Sequence, residues 1–120
     1  MDGLIIKPFW GQLILDRTKT WEIRGSNTTH RGKHYLIFSG TNKIFGEIDI
    51  LCSSILTQQE FEQNQDKHCL PENFTWKDLI KHYKNPHKWA IGNVTLYESP
   101  IPCIQPHGAV IWIKNVKTIL

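Results

Sequence analysis

Ile44-Phe45-Gly46-Glu47-Ile48-Asp49-Ile50-Leu51-Cys52 is the stretch on which the fold turns. Ile44, Gly46, Ile48, Ile50 and Cys52 alternate with Glu47 and Asp49, the period of two at which successive side chains leave opposite faces of a strand. Such a strand buries one face and wets the other. Just before it, Tyr35 to Phe38 is an apolar run, and Ser39-Gly40-Thr41-Asn42 has the composition of a turn, so the two runs pair as an antiparallel hairpin. Later in the chain Trp89, Ile91, Val94 and Leu96 alternate with a change of phase at Gly92-Asn93. A bulge or sharp bend produces that change, and bends of this kind curl small sheets. Leu4-Ile5-Ile6 opens the series of strands, and Ala109 to Lys114, containing Trp112, closes it.

Helices fill the gaps. Pro8 follows the first strand and suits the first helical position, where its missing N–H needs no partner. Phe9 with Leu13, and Trp10 with Ile14, then form one buried stripe, leaving Gln12 and Asp16 wet. Thr57 with Glu60, and Thr75 with Asp78, are capping boxes, stapled by Leu56–Phe61 and Phe74–Leu79. Trp76, Leu79, Ile80 and Tyr83 share one face of the last helix, which Pro86 ends. Residues 17–34 and 64–72 read as loops. Five to six strands with about three short helices leave no room for the helical crossovers of a parallel sheet. The expected fold is α+β, a curled, mostly antiparallel sheet closing toward a barrel.

A chain of 120 residues supports one core, so residues 1–120 are expected to be a single domain. Hydrophobic residues at 40% against charged residues at 21% argue for a folded domain rather than a disordered tail. The first residues carry no basic start, long apolar stretch or small-residue cleavage site, so a cytoplasmic protein with no membrane span is expected. Cys52, Cys69 and Cys103 are odd in number and far apart, which suits neither a disulfide framework nor a zinc site; they read as reduced thiols. His68, Cys69, His82 and His87 lack metal-ligand spacing, so no metal is expected. No Walker loop, Gly-x-Ser-x-Gly elbow or Gly-x-Gly-x-x-Gly fingerprint is present, and no cofactor is expected.

The formal charge of +3 is mild, but it is unevenly spread. Residues 17–34 hold five basic residues, Arg17, Lys19, Arg24, Arg31 and Lys33, against one acid, Glu22, giving +4 there and −1 elsewhere. His30 and His34 join them and become cationic beside a phosphate. That is an anion-binding footprint. Thr20, Glu22 and Arg24 alternate with Trp21 and Ile23, so an extended backbone aims the polar three at one face. Lys19 and Arg24 can then hold an anion or a polar base edge while Glu22 accepts from an amino group. The plainer alternative is a solvated ion pair of Glu22 with Lys19 or Arg24, worth about 0–1 kcal/mol. Burial in the core explains all five Trp residues; Trp21, adjoining Lys19 and Glu22, is the one placed to stack on a base.

Lys7-Pro8-Phe9-Trp10, leading through Leu13-Ile14 to Lys19-Thr20-Trp21-Glu22-Ile23-Arg24 and then His30-Arg31-Gly32, resembles the signature of ASCH (activating signal cointegrator homology) domains, whose core is Gly-x-Lys-x-x-Glu-x-Arg. Trp89-Ala90-Ile91-Gly92-Asn93-Val94, Pro100-Ile101-Pro102 and Gly108 are similar to the carboxy-terminal half of that family. The resemblance implies a PUA-like β-barrel that binds RNA, single-stranded nucleic acid or a nucleotide in a cleft beside the Lys-x-x-Glu-x-Arg segment. It puts Lys19, Glu22 and Arg24 in that cleft, with Arg31 and Gly32 opening the next strand. The candidate binding set is therefore Lys19, Trp21, Glu22, Arg24, Arg31 and Lys33. The family's glycine falls at Arg17, which predicts a differently shaped turn after the first helix.

Some small members of the family resemble amidohydrolases of acylated cytidine-type nucleosides that use a lysine, a hydroxyl and a glutamate. The likeness implies Lys19 as base, Thr20 as hydroxyl, since the family's threonine position is Glu22, and Glu72 as the carboxylate. An adjacent cation such as Arg24, together with burial, would lower the lysine pKa toward that role. A third reading is a protein-interaction module.

Overall fold

The computed structural model describes residues 1–119. Strand β1 (Gly3–Ile6) runs straight into helix α1 (Pro8–Leu15), with Pro8 in the first turn as expected. The helix seats on the sheet through Gly11, Ile14 and Leu15. A Cβ at Gly11 would fall 2.3 Å from the Phe38 ring, so only glycine allows this approach. That seat turns the 9/13 row away from the sheet, and Phe9 is 67% exposed instead of buried.

Helix α1 ends in a Schellman turn. The Thr18 N–H donates to the Leu13 carbonyl and the Arg17 N–H to the Ile14 carbonyl, both at 3.0 Å, around Arg17 at φ +67°. The turn keeps the glycine-type shape, contrary to the expectation for Arg17. A non-glycine residue in this region costs roughly 1–2 kcal/mol. The Arg17 Nη2, which donates to the Val94 carbonyl at 3.0 Å, offsets part of that cost.

The segment 17–34 is less loop-like than its composition suggests. It holds strand β2 (Trp21–Arg24) and the start of β3 (Gly32–Phe38). Strand β3 forms the expected hairpin with β4 (Lys43–Ile55), and β4 pairs antiparallel with β5 (His87–Pro102). Opposite Gly92-Asn93 the β4–β5 register shifts between Ile48 and Ile50, the bulge read from the phase change. A further shift between Ile50 and Cys52 ends the buried row, leaving Cys52 exposed. Leu96 and Ile80, expected on apolar faces, are also exposed.

Helices α2 (Gln58–Gln63) and α4 (Trp76–His82) begin at the two predicted capping boxes, both complete. Their staples, with Ile23 of β2, form a separate apolar cluster of Leu56, Phe61 and Leu79. Between them a one-turn helix α3 (Gln65–His68) replaces part of the expected loop, bringing the described helices to four. Strand β6 is only Trp112–Ile113, shorter than the run 109–114 suggests.

The six strands lie in the order β2-β5-β4-β3-β1-β6. All neighbours are antiparallel except β1 and β3, which are parallel because α1 and β2 intervene between them. The sheet curls into a half-barrel around Leu4, Ile14, Leu36, Ile48, Ile50 and Trp89. Its edges, β2 and β6, are left without a backbone ladder between them. Among the described residues no helix is long and apolar enough to cross a membrane.

Candidate functional site

A cavity of about 470 Å³ opens between β2 and β1, within the usual range for small-molecule sites. Strand β1 and the residues before β6 supply Ile5, Ile6, Val110 and Ile111; β2 supplies Glu22, Ile23 and Arg24. The far wall comes from Leu70, Phe74 and α4 with Tyr83. Most of the surface is apolar; apart from Lys7, the charge is gathered at one place.

That place is the Lys-x-x-Glu-x-Arg segment. The Schellman turn also delivers Lys19, whose N–H donates to the Leu13 carbonyl at 3.0 Å, into the cavity wall. Lys19 is only 2% exposed and Glu22 5%. The Lys19 ammonium donates to the His68 carbonyl at 2.5 Å, lies 3.8 Å from Glu22 Oε1 and sits 4.8 Å from the centroid of the Trp10 ring. Burial pushes the Lys19 pKa below the ordinary lysine value, opposed by the neighbouring Glu22 carboxylate. Arg24 Nε donates to Glu22 Oε2 at 2.8 Å, its Nη2 to the Ile5 carbonyl at 3.2 Å, and its guanidinium lies 5.4 Å from the Trp89 centroid. One carboxylate is thus held between two cations, and the group carries a net positive charge.

His68 supports Lys19 from behind. Its Nδ1 accepts from the Leu70 N–H at 3.0 Å, which makes Nε2 the donor to the Phe61 carbonyl at 2.8 Å. The ring stacks on Phe61 at 4.6 Å. Burial lowers the His68 pKa, and Lys19 lowers it further, so the neutral tautomer is held.

The structure brings Lys19, Glu22 and Arg24 together and leaves the other candidates outside the cavity lining. Trp21 packs on the α2–α4 cluster, with the Lys67 and Lys88 ammoniums 5.1 and 5.2 Å from its centroid. Thr20 is exposed, and its backbone joins Lys67 and Ile91. Arg31 is exposed and donates to the Thr28 and His30 carbonyls. Lys33, exposed, lies 3.7 Å from Glu47. Glu72 is exposed, although Leu70 and Phe74 on either side of it line the cavity.

Two features escaped the reading of the sequence. Trp10, assigned to the core by helical spacing, lines the cavity; its place beside Lys7-Pro8 in the family signature was the available signal. His30 and His34 join each other rather than the cationic site, Nδ1 to Nε2 at 3.1 Å. The His30 ring stacks on Trp112 at 3.7 Å, and Trp112 stacks on Trp89 at 5.5 Å. Burial, helped by His34, lowers the His30 pKa. No sequence spacing foretells this column.

A six-stranded curled half-barrel with several short helices is the PUA-like α+β fold. The ASCH domain family model matches residues 4–102, and the chain belongs to that family. Solved structures agree on the fold. A serine-to-alanine variant of the ASCH protein of Zymomonas mobilis superposes with a TM-score of 0.71 at 12% identity, covering 95% of this chain and 88% of that one. A tyrosine-to-phenylalanine variant of the same protein gives 0.71 at 12%, covering 95% and 90%. The unsubstituted protein gives 0.61 at 12%, covering 83% and 69%. No curated protein sequence matches the chain.

Proposed function

We propose that this ASCH domain binds RNA or a nucleotide by taking one unstacked base into the cavity between β1 and β2. The observation that carries this reading is the Glu22 carboxylate held between Lys19 and Arg24 in the wall of a largely apolar cavity. Aromatic side chains of Trp10, Phe74 and Tyr83 supply flat surfaces, and the three charged groups supply hydrogen bonds to a base edge. Arg31 and Lys33, exposed outside the cavity, are available to phosphates. Residues 1–120 act as one domain in this reading, since β1 and β6 pair the two ends of the chain. A nucleic-acid ligand and free thiols fit a cytoplasmic setting.

Fluorescence anisotropy with short single-stranded RNA tests it. Trp10→Ala is expected to weaken binding by about 1–3 kcal/mol, the worth of one stacked base. The log–log salt slope is expected to be roughly −2 to −3, for three or four phosphates. Equal affinity of wild type and Trp10→Ala would remove the cavity from the binding.

The burial of Lys19 in the cavity wall, which lowers its pKa, favours a second reading, a hydrolase of acylated cytidine-type nucleosides with Lys19 as base. Glu22, 3.8 Å from the Lys19 nitrogen, is then the carboxylate beside it in the cavity wall, in place of Glu72. Turnover by wild type that Lys19→Ala abolishes supports it; equal turnover, or none by either, ends it.

A further inference from the structure

The charged wall has an order, and the order selects among bases. This inference rests on the base-binding reading above and adds the identity of the base. Lys19 approaches Glu22 Oε1 and Arg24 approaches Oε2, so the carboxylate lies between the two cations. Contacts within the protein do not exhaust these groups. Lys19 has one hydrogen bond, to the His68 carbonyl, out of the two or three N–H donors it carries in either protonation state. Arg24 engages Nε and Nη2, which leaves Nη1 free to donate. At 3.8 Å the Lys19 nitrogen makes only a long ion pair with Oε1, which leaves that oxygen a lone pair for a ligand. From Lys19 through Glu22 to Arg24 the wall therefore offers donor, acceptor, donor.

The complement is an edge that offers acceptor, donor, acceptor. A cyclic imide of the uracil type has it: a carbonyl, a ring N–H and a second carbonyl. Cytosine presents an amino group, a bare ring nitrogen and a carbonyl. In either orientation it sets its amino group against a cation and its ring lone pair against the carboxylate. Guanine matches at two positions and opposes a donor with a donor at the third. Adenine fails at both positions with N1 against the carboxylate; with its amino group there, N1 and N7 lie recessed behind that group, away from the two cations. In a cavity walled by Trp10, Ile23 and Leu79, a base seated against the charged wall displaces water from it, and each mismatch leaves a polar group unpaired. We propose that the cavity selects a uracil-type imide, read edge-on by Lys19, Glu22 and Arg24.

Free nucleotides and residues of an RNA chain both carry this edge, so both are tested on the intact protein. The ligands are the 5′-monophosphates of uridine, cytidine, adenosine, guanosine and N3-methyluridine. Single-stranded RNA pentamers with abasic flanks and a central uridine, cytidine or N3-methyluridine form the second series. Binding is read from the indole N–H of Trp10 by NMR, which confines the signal to the cavity wall. Uridine is expected to bind about tenfold or more tighter than cytidine, and methylation at N3 to remove that advantage. Tighter binding within the pentamer identifies RNA uridine as the source; equal or tighter binding of the monophosphate identifies the free nucleotide. Cytidine or N3-methyluridine binding as tightly as uridine overturns the selection while leaving base binding in place. Absence of binding by every ligand in both series overturns the two readings together.

Discussion

The Arg24 guanidinium reaches across from β2 and donates to the Ile5 carbonyl of β1 at 3.2 Å. Where a closed barrel would have a backbone ladder, this half-barrel has one side chain spanning the seam. The gap that leaves is the cavity. One residue thus links the edge strand β2 to β1, the strand next to the opposite edge, and forms part of the charged wall.

Arg24→Ala should therefore cost stability as well as binding. It removes two hydrogen bonds, opens the seam and leaves the Glu22 carboxylate with only the more distant Lys19. Urea unfolding is expected to show a loss of about 2–3 kcal/mol, somewhat below a fully buried pair because Arg24 is partly exposed. Arg24→Lys should recover little of it, since an ammonium cannot reach both partners.

Lys19 makes stability depend on alkaline pH. Its folded pKa lies below the ordinary value, so between the two the unfolded chain carries a proton that the folded chain lacks. Stability contributed by this group therefore rises as pH increases through that window. Lys19→Met lacks the rise. Burial pushes Tyr97 and Cys103 the other way, but they remain in both proteins and cancel in the difference, whereas Cys69, which Lys19 holds down against its burial, is replaced by Ser in both proteins so that its coupling to Lys19 does not enter. Urea midpoints of the two proteins, compared at steps from neutral pH upward, should move apart in favour of the one that keeps Lys19.

His68 governs the acid side. Its pKa is lowered by burial, so as pH falls the unfolded chain takes up the proton first. The stability it contributes is present above the ordinary histidine value and is lost as pH falls toward the folded value. His68→Gln can keep a donor to Phe61 and an acceptor for Leu70 without titrating. The variant should show a shallower acid loss, the remainder reporting His30 and, at lower pH, the carboxylates of Asp2, Asp16, Glu60 and Asp78, whose pKa values are also lowered.

The turn after α1 offers a test of backbone strain alone. Arg17→Gly and Arg17→Ala both lose the bond to the Val94 carbonyl and differ only in their tolerance of φ +67°. Thermal unfolding should find the glycine variant about 1 kcal/mol more stable.

What the sequence disclosed was what local chemistry encodes. The capping boxes at Thr57 and Thr75 are complete because the offset of three residues dictates the contact. The alternation from Ile44 to Ile50 predicted its strand, yet it failed at Cys52, where a register shift against β5 decides the face. The charged centre, Lys19, Glu22 and Arg24, was legible because one short segment carries all three. Its opposite wall was not: Leu70, Phe74 and Tyr83 reach the cavity through the docking of the α2–α4 cluster on β2. Trp10 was hidden by its own regularity, since helical spacing reads the same for a cavity wall as for a core.

The family match ends at residue 102, but Val110 and Ile111 line the cavity and β6 pairs with β1. A chain cut at that boundary would lose part of its pocket and strip the outer edge of β1. Gly3 and Leu4 would then present unpaired backbone beside exposed apolar side chains, a template for pairing with another molecule. The tail beyond the matched region thus guards the fold against self-association, and a shortened version of this protein should be expected to aggregate.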